Sequence, residues 1–183
     1  NGPAPGISDL PVPDGRNVYR TMRPVNPELP VHKIEDLNID GPLGEIPVRV
    51  YHPAGDGPFG VLVYFHGGAW AHGYKEWNGF MAPALVDLPA VLVSVGYRLV
   101  PDYKWPAPFD DALNALRWVH ANIAAYGGDS TRIHVAGWSA GGTLAALLAS
   151  RQDIYSAHDL PVDVIRSCMV TSTSFRFRNT DPA

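Results

Sequence analysis

The pattern of hydrophobic and polar positions changes along the chain and predicts two kinds of strand. Residues 33–40 and 45–51 alternate apolar with polar side chains around Gly41-Pro42, as two paired strands with one face toward water would. Later blocks are continuously apolar and rich in valine, which is typical of parallel strands that are covered on both faces. These blocks are residues 60–65, 90–95 and 133–136, and a fourth, residues 164–170, is broken by Arg166 and Ser167.

Helical periodicity occupies the stretches between the apolar blocks. From Phe109 to Ile123, apolar residues recur every three or four positions, with prolines just before this stretch and Gly127-Gly128 just after it. A second helix is predicted from Ser139 to about Arg151, and a weaker one, interrupted by Pro83, in residues 77–88. Strands that alternate with helices predict an α/β fold with a mostly parallel sheet and helices on both faces.

The beginning of the chain differs from the rest. Residues 1–30 contain seven prolines and little periodicity. This composition predicts an irregular N-terminal arm or cap, which is ordered only where it packs on something else. Residues 31–183 are therefore assigned to the α/β domain.

Composition narrows the classes of function. The 183 residues are 46% hydrophobic and 17% charged, which is enough apolar material for a packed core. The formal net charge is -4 and no basic block is present, which argues against nucleic-acid partners and anionic membranes. The longest apolar run, residues 144–149, is too short to span a bilayer. A single cysteine, Cys168, excludes an internal disulfide or a cysteine-built metal site. No targeting signal is visible, which favours a cytoplasmic protein and leaves secretion open.

A serine lies between two glycines in residues 137–141 (GWSAG), a G-x-S-x-G pattern. A predicted strand precedes it and a predicted helix follows, which is the setting that a nucleophile elbow requires. A serine on such a sharp turn crowds the residues two before and two after it, so both must be small, as Gly137 and Gly141 are. The alternative is a helix N-cap serine. The context favours Ser139 as a catalytic nucleophile.

A second glycine-rich turn, residues 66–70 (HGGAW), follows the strand at 60–65. Glycines let backbone N–H groups point into a pocket, and acyl transfer needs such donors for the oxyanion of its tetrahedral intermediate. The amides of Gly68, Ala69 and Ala140 are the predicted oxyanion hole; the alternative is a plain turn. His66 is interpreted as structural, hydrogen-bonded to its own loop. Candidates for the substrate pocket, against ordinary packing, are Trp70, Tyr74 and Trp138.

Four segments in this order resemble α/β-hydrolases of the hormone-sensitive-lipase-like esterase group: the HGGAW turn, residues 96–101 (GYRLVP) with 106–108 (PAP), residues 126–129 (YGGD) and the elbow. The related arylformamidases have a similar HGG-x-W turn. The resemblance covers about residues 45–172. It implies an α/β-hydrolase fold and a Ser-His-Asp serine hydrolase with no metal or organic cofactor. The expected substrates are carboxylic esters of small to medium acyl groups. An amidase or arylformamidase with the same machinery, and a non-catalytic ligand-binding member, are the alternatives.

The position of the catalytic base departs from that family. Its members carry the acid and then the histidine after the nucleophile, and here His158 is the one histidine that follows Ser139. A helix of about a dozen residues would carry the chain roughly 18 Å away before His158, so that residue is not nominated. The chain is therefore expected to be the N-terminal part of the fold. The triad His and Asp or Glu are expected from a second polypeptide segment of at least about a hundred residues.

Overall fold

The computed structural model describes residues 6–173, which form one six-stranded sheet with helices packed on it. Its strands are β1 (Lys33–Ile39), β2 (Ile46–His52), β3 (Phe59–Phe65), β4 (Ala90–Val95), β5 (Gly128–Trp138) and β6 (Ile165–Thr171). Its α-helices are α1 (Val12–Met22), α2 (Ala82–Asp87), α3 (Ala107–Asn122) and α4 (Ala140–Ser150). Shorter 3₁₀ turns span Ile7–Asp9, Lys75–Met81, Ile123–Tyr126 and Gln152–His158.

The sheet has an antiparallel end and a parallel end. Its strand order is β1-β2-β4-β3-β5-β6. β1 and β2 form the hairpin that their alternating sequences predicted, and β2 also pairs antiparallel with β4. β3, β4, β5 and β6 run parallel to one another, joined by helical crossovers. The predicted α/β class with a mostly parallel sheet is confirmed.

Successive residues of the central strands face opposite sides of the sheet, and each side has its own helices. Val61, Val63 and Phe65 of β3 belong to the main core, together with the apolar sides of α3 and α4. The intervening Tyr64 belongs to a smaller cluster that includes Ala82 of α2. Because both faces are covered, the central strands tolerate continuous apolar sequence, as predicted. The prediction is wrong for β6, which lies at the edge of the sheet and has mostly exposed residues.

The order of the strands fixes where a ligand site can form. From β3 the chain moves to β4 on one side, and it then returns to β5 on the other side of β3. Such a reversal leaves a crevice at the carboxyl ends of the two strands between which it occurs. Phe65, the last residue of β3, lies opposite Gly137 near the end of β5. The two glycine-rich turns therefore start side by side.

Two parts of the structure differ from the sequence-based expectations. The segment expected to be irregular contains α1, with Pro13 in its first turn, where a proline leaves no helical hydrogen bond unmade. Prolines that suggested irregularity thus mark a helix start. The weak helix expected at 77–88 is a 3₁₀ turn followed by α2, and Pro83 lies in the first turn of α2 rather than interrupting it. Between residues 6 and 173, no helix is long and apolar enough to cross a membrane.

Candidate active site

Ser139 occupies a sharp turn between β5 and α4. Its backbone has φ 55° and ψ −120°, a conformation that non-glycine residues rarely adopt. The Ser139 N–H donates to the carbonyl of Thr171 on β6 at 2.9 Å, and its carbonyl accepts from the N–H of Thr143 at 3.1 Å. Its side chain makes no capping hydrogen bond to the start of α4. The hydroxyl is therefore not used as a helix cap, which was the alternative interpretation.

The glycines around Ser139 are required by close backbone contacts. A Cβ atom on Gly141 would lie 2.0 Å from the carbonyl oxygen of Phe65, and one on Gly137 would lie 2.3 Å from the carbonyl carbon of Gly141. Both distances are far below van der Waals contact. The elbow thus packs directly on the end of β3 and leaves no room for a side chain at either position.

The turn after β3 contains three consecutive residues with positive φ: Gly68 at 134°, Ala69 at 51° and Trp70 at 66°. It is closed by hydrogen bonds from the N–H groups of Ala71 and His72 to the Gly68 carbonyl, at 3.2 and 2.9 Å. Glycine adopts this conformation readily, but the two residues after it are strained there. Such strain is common at functional sites, where surrounding contacts hold it in place.

The amides of the predicted oxyanion hole are unpaired in the described part of the chain. Within residues 6–173, the N–H groups of Gly68, Ala69 and Ala140 donate to no other group. The turn and the elbow are also in contact, because a Cβ on Gly67 would lie 2.9 Å from the carbonyl oxygen of Trp138. Ala140 begins α4, where unpaired N–H groups and the helix dipole favour negative charge.

His66 supports the turn from inside the protein. Its ring is buried, lies 4.3 Å from the ring of Tyr97 in a stacked arrangement, and places Nδ1 3.0 Å from the carbonyl oxygen of Gly67. The Tyr97 hydroxyl donates to the His66 carbonyl at 2.6 Å. Burial lowers the pKa of His66 to about 4, so the ring is neutral near pH 7. These contacts fit the structural role that the sequence suggested.

A buried ion pair fixes the neighbouring segment of residues 96–101. The Arg98 guanidinium pairs with the carboxylate of Asp111 on α3. The backbone N–H of Arg98 donates to the same carboxylate at 2.8 Å. Burial raises the pKa of Asp111, and the hydrogen bond and charge of Arg98 oppose that rise. Two residues further on, the Val100 N–H donates to the Trp70 carbonyl at 3.0 Å. The segment is thus anchored to α3 and also holds the turn of residues 66–70, named the oxyanion turn after its predicted role.

An apolar cavity of about 560 Å³ opens beside the turn. Trp70 is one of its walls and meets Trp105 edge-to-face, with ring centroids 6.2 Å apart. The other residues that line the cavity were not predicted from the sequence, although Pro108 belongs to the PAP segment that carried the family resemblance. The full lining is Ala69, Trp70, Val100, Trp105, Pro108 and Leu147.

The other two pocket candidates lie elsewhere. The Tyr74 hydroxyl donates to the Arg23 carbonyl, and its ring lines a separate cleft with Arg20. Trp138 packs with the smaller cluster on the α2 side of the sheet, 5.7 Å from the ring of Trp77. Neither side chain contributes to the lining of the apolar cavity.

In the described part of the chain, no histidine hydrogen-bonds the Ser139 hydroxyl. His134 pairs with the Ser167 hydroxyl at 2.8 Å, and His52 pairs with Glu35 at 2.9 Å. His158 lies in the 3₁₀ turn beyond α4, where its carbonyl accepts from Arg117. A general base for Ser139 is therefore not found among residues 6–173.

Comparison with known proteins agrees with this geometry. Residues 62–173 match the family described as having the alpha/beta hydrolase fold. The chain belongs to the α/β-hydrolase family. It is 40% identical over 151 residues to Esterase LipI and 47% identical over 125 residues to Carboxylesterase NlhH, both from Mycobacterium tuberculosis.

These matches cover 78% and 66% of this chain but only 47% and 39% of the two relatives. The chain thus spans less than half the length of either protein. Among solved structures it is similar to EstE1, a thermostable carboxylesterase cloned from a metagenomic library, with a TM-score of 0.81 at 27% identity. That match covers 98% of this chain and 60% of EstE1.

Proposed function

We propose that this chain carries the nucleophile and the oxyanion hole of a serine hydrolase that cleaves carboxylic esters of small to medium acyl groups. One observation carries the proposal. The Ser139 hydroxyl is not used as a cap, and it stands on a strained turn beside the free amides of Gly68, Ala69 and Ala140. The esterase and carboxylesterase names of the relatives support the choice of ester over amide substrates.

In this mechanism Ser139 Oγ loses its proton to a general base as it attacks the acyl carbon of the ester. The carbonyl oxygen becomes negatively charged, and the amides of Gly68, Ala69 and Ala140 donate hydrogen bonds to it. When the tetrahedral intermediate collapses, the protonated base gives its proton to the leaving oxygen, the bond from the acyl carbon to that oxygen breaks, and the alcohol leaves the acyl group on Ser139. Water, activated by the same base, then attacks the acyl-enzyme and releases the acid.

The apolar cavity is the proposed binding site for the hydrocarbon part of the substrate. It begins at Ala69 and Trp70, beside the amides that would hold the oxyanion, and extends to Leu147 on α4. Its volume of about 560 Å³ lies within the usual range for small-molecule pockets. A cavity lined by apolar side chains would accept an acyl chain or a small aromatic group without leaving polar groups unpaired.

The histidine and its acidic partner are proposed to come from a second polypeptide segment. Two observations support this: no histidine hydrogen-bonds the Ser139 hydroxyl within residues 6–173, and this chain spans less than half the length of LipI and of NlhH. In serine hydrolases the histidine takes the proton of the serine and is itself oriented by a carboxylate.

The test is hydrolysis of a chromogenic short-chain ester by the complete enzyme and by its Ser139→Ala variant. Removal of the nucleophile is expected to lower kcat by about 10⁴-fold or more. The matched control is Ser150→Ala, at the exposed end of α4, which is expected to keep full activity. Retained activity in Ser139→Ala would overturn the proposal. A matched pair of ester and anilide substrates separates esterase from amidase, and faster anilide cleavage would favour the amidase.

A further inference from the structure

Arg16 on α1 connects two loops that lie beside the oxyanion turn. Its Nε donates to the carbonyl of Ala71 at 3.0 Å, and its Nη2 donates to the carbonyl of Val100 at 3.1 Å. Its Nη1 donates to the carboxylate of Asp102 at 2.8 Å. The same guanidinium is therefore hydrogen-bonded to Ala71, just after the turn, and to Val100, in the segment of residues 96–101.

Both of the carbonyls that Arg16 binds belong to residues that are hydrogen-bonded to the turn itself. The Ala71 N–H donates to the Gly68 carbonyl, and the Val100 N–H donates to the Trp70 carbonyl. Hydrogen bonds thus connect Arg16 to both sides of Ala69. Ala69 and Trp70 have left-handed backbones, which persist only where surrounding contacts determine them.

The rest of α1 is packed closely against the same region. A Cβ on Gly15 would lie 2.9 Å from Nε2 of His72, so a side chain at this position would have to displace the His72 ring. One turn further, Tyr19 stacks on the His72 ring at 5.7 Å. At the end of the helix, the Arg23 guanidinium lies over the Tyr19 ring, 4.1 Å from its centroid. These contacts fix the place from which Arg16 reaches the loops.

We propose that Arg16 is a positioning residue that holds the amides of Gly68 and Ala69 in the geometry needed to bind the oxyanion. This inference rests on the proposed function. A guanidinium has a planar fork of donors that can satisfy two carbonyls and a carboxylate at once, and a lysine ammonium cannot reproduce that arrangement. The oxyanion forms only during the reaction, so a misplaced amide weakens the transition state and leaves the substrate complex almost unchanged.

The experiment compares the steady-state kinetics of four variants of the complete enzyme with those of the parent. Arg16→Ala is expected to lower kcat by about 10- to 100-fold, with KM within about twofold of the parent value. Arg16→Lys is expected to recover only part of that loss. Asp102→Asn keeps both carbonyl contacts and is expected to have a smaller effect than Arg16→Ala. The matched control is Arg20→Ala, one turn along α1, where the side chain lies over the Tyr74 ring and, among the described residues, makes no hydrogen bond to either loop.

A transition-state analogue provides a second readout. A boronic acid that forms a tetrahedral adduct is expected to lose affinity for Arg16→Ala by about the same factor as kcat. Unchanged kcat in Arg16→Ala would overturn the inference, and so would a rise in KM at constant kcat, which would make α1 a substrate-binding element. If Arg16→Ala does not fold, the kcat of Arg16→Lys is the test. A kcat equal to that of the parent would then overturn the inference.

Failure of this inference is distinguishable from failure of the proposed function. If Ser139→Ala is inactive while the Arg16 variants keep kcat, only the positioning role is wrong. If Ser139→Ala keeps its activity, the proposed function is wrong, whatever the Arg16 variants show.

Discussion

The turn after β5 and the turn after β3 both contain left-handed residues, but different contacts hold them. The elbow is fixed by its own glycines, which pack against each other and against the carbonyl of Phe65. The oxyanion turn is fixed by residues far away in the sequence: Arg16 on α1, Val100, and Tyr97 through its contact with His66.

This difference predicts different sensitivities to substitution. The elbow has no space for an added atom, so any side chain at its glycines forces the backbone of a central strand to move. The oxyanion turn is as crowded at Gly68, where a Cβ would lie 2.3 Å from the His72 carbonyl oxygen. Its strained residues Ala69 and Trp70, however, already carry side chains, so these two positions tolerate local changes better and depend on the remote supports. Substitutions in each turn therefore test whether local contacts fix the elbow and remote contacts fix the oxyanion turn.

The largest effect is expected at the elbow. In Gly141→Ala the new methyl group would lie 2.0 Å from the Phe65 carbonyl oxygen, and the free energy of unfolding should fall by about 3 kcal/mol or more. The control is Gly142→Ala, whose nearest contact would be 3.0 Å away and whose cost should stay within about 1 kcal/mol. Denaturant unfolding measures both. Equal stability of the two variants would contradict the claim that the close contacts of its own glycines fix the elbow.

The next effect concerns the interior of the oxyanion turn and depends on pH. Burial holds the pKa of His66 at about 4 in the folded protein, below its ordinary value of 6.5. Between these values the unfolded chain binds one more proton, so the free energy of unfolding falls as the pH is lowered through this window. The contribution of His66 is up to about 3 kcal/mol.

The measurement for His66 is denaturant unfolding at about pH 7 and about pH 4 for the parent and for His66→Asn. The carboxylates titrate in both proteins, so the difference between the two pH dependences isolates His66. A weaker pH dependence is expected in the variant. An identical pH dependence in the two proteins would show that His66 is not held neutral by the fold.

The smallest effect is expected at Ala69. Glycine at this left-handed position relieves backbone strain but adds freedom to the unfolded chain, so Ala69→Gly should stabilise the protein by about 0.5 kcal/mol. The matched control is Ala71→Gly, where φ is not left-handed and a loss of about 0.5–1 kcal/mol is expected. Thermal unfolding of both variants compares them. A loss larger than that of Ala71→Gly would mean that the Ala69 methyl matters for packing around the cavity.

The same contrast explains how much could be predicted from sequence. The elbow depends on residues within a few positions of Ser139, so its glycine spacing and the flanking strand and helix indicate it directly. The hairpin, the valine-rich strands and α3 were also predictable, because alternation, a continuous apolar run and a period of 3.6 residues are local properties of the sequence.

The supports of the oxyanion turn could not be predicted in this way. The seven prolines of residues 1–30 led to the prediction of an irregular segment in place of α1. Proline is compatible with the first turn of a helix as well as with irregular structure, so composition alone does not separate the two. An aspartate near the start of a helix, such as Asp111, can interact with the helix N-terminus or form an ion pair with a distant residue such as Arg98. Only the fold shows which of these interactions forms. The apolar cavity takes its walls from the oxyanion turn, the loop before α3, α3 itself and α4, and no local pattern brings these segments together.

The central claim is that Ser139 is the nucleophile, and covalent labelling tests it most directly. The complete enzyme would be treated with a fluorophosphonate, digested, and analysed by mass spectrometry to locate the adduct. A single adduct on the peptide that contains Ser139, absent from the Ser139→Ala variant, is the result expected. An adduct on another residue, such as Ser167 on β6, or equal labelling of the Ser139→Ala variant, would contradict the claim.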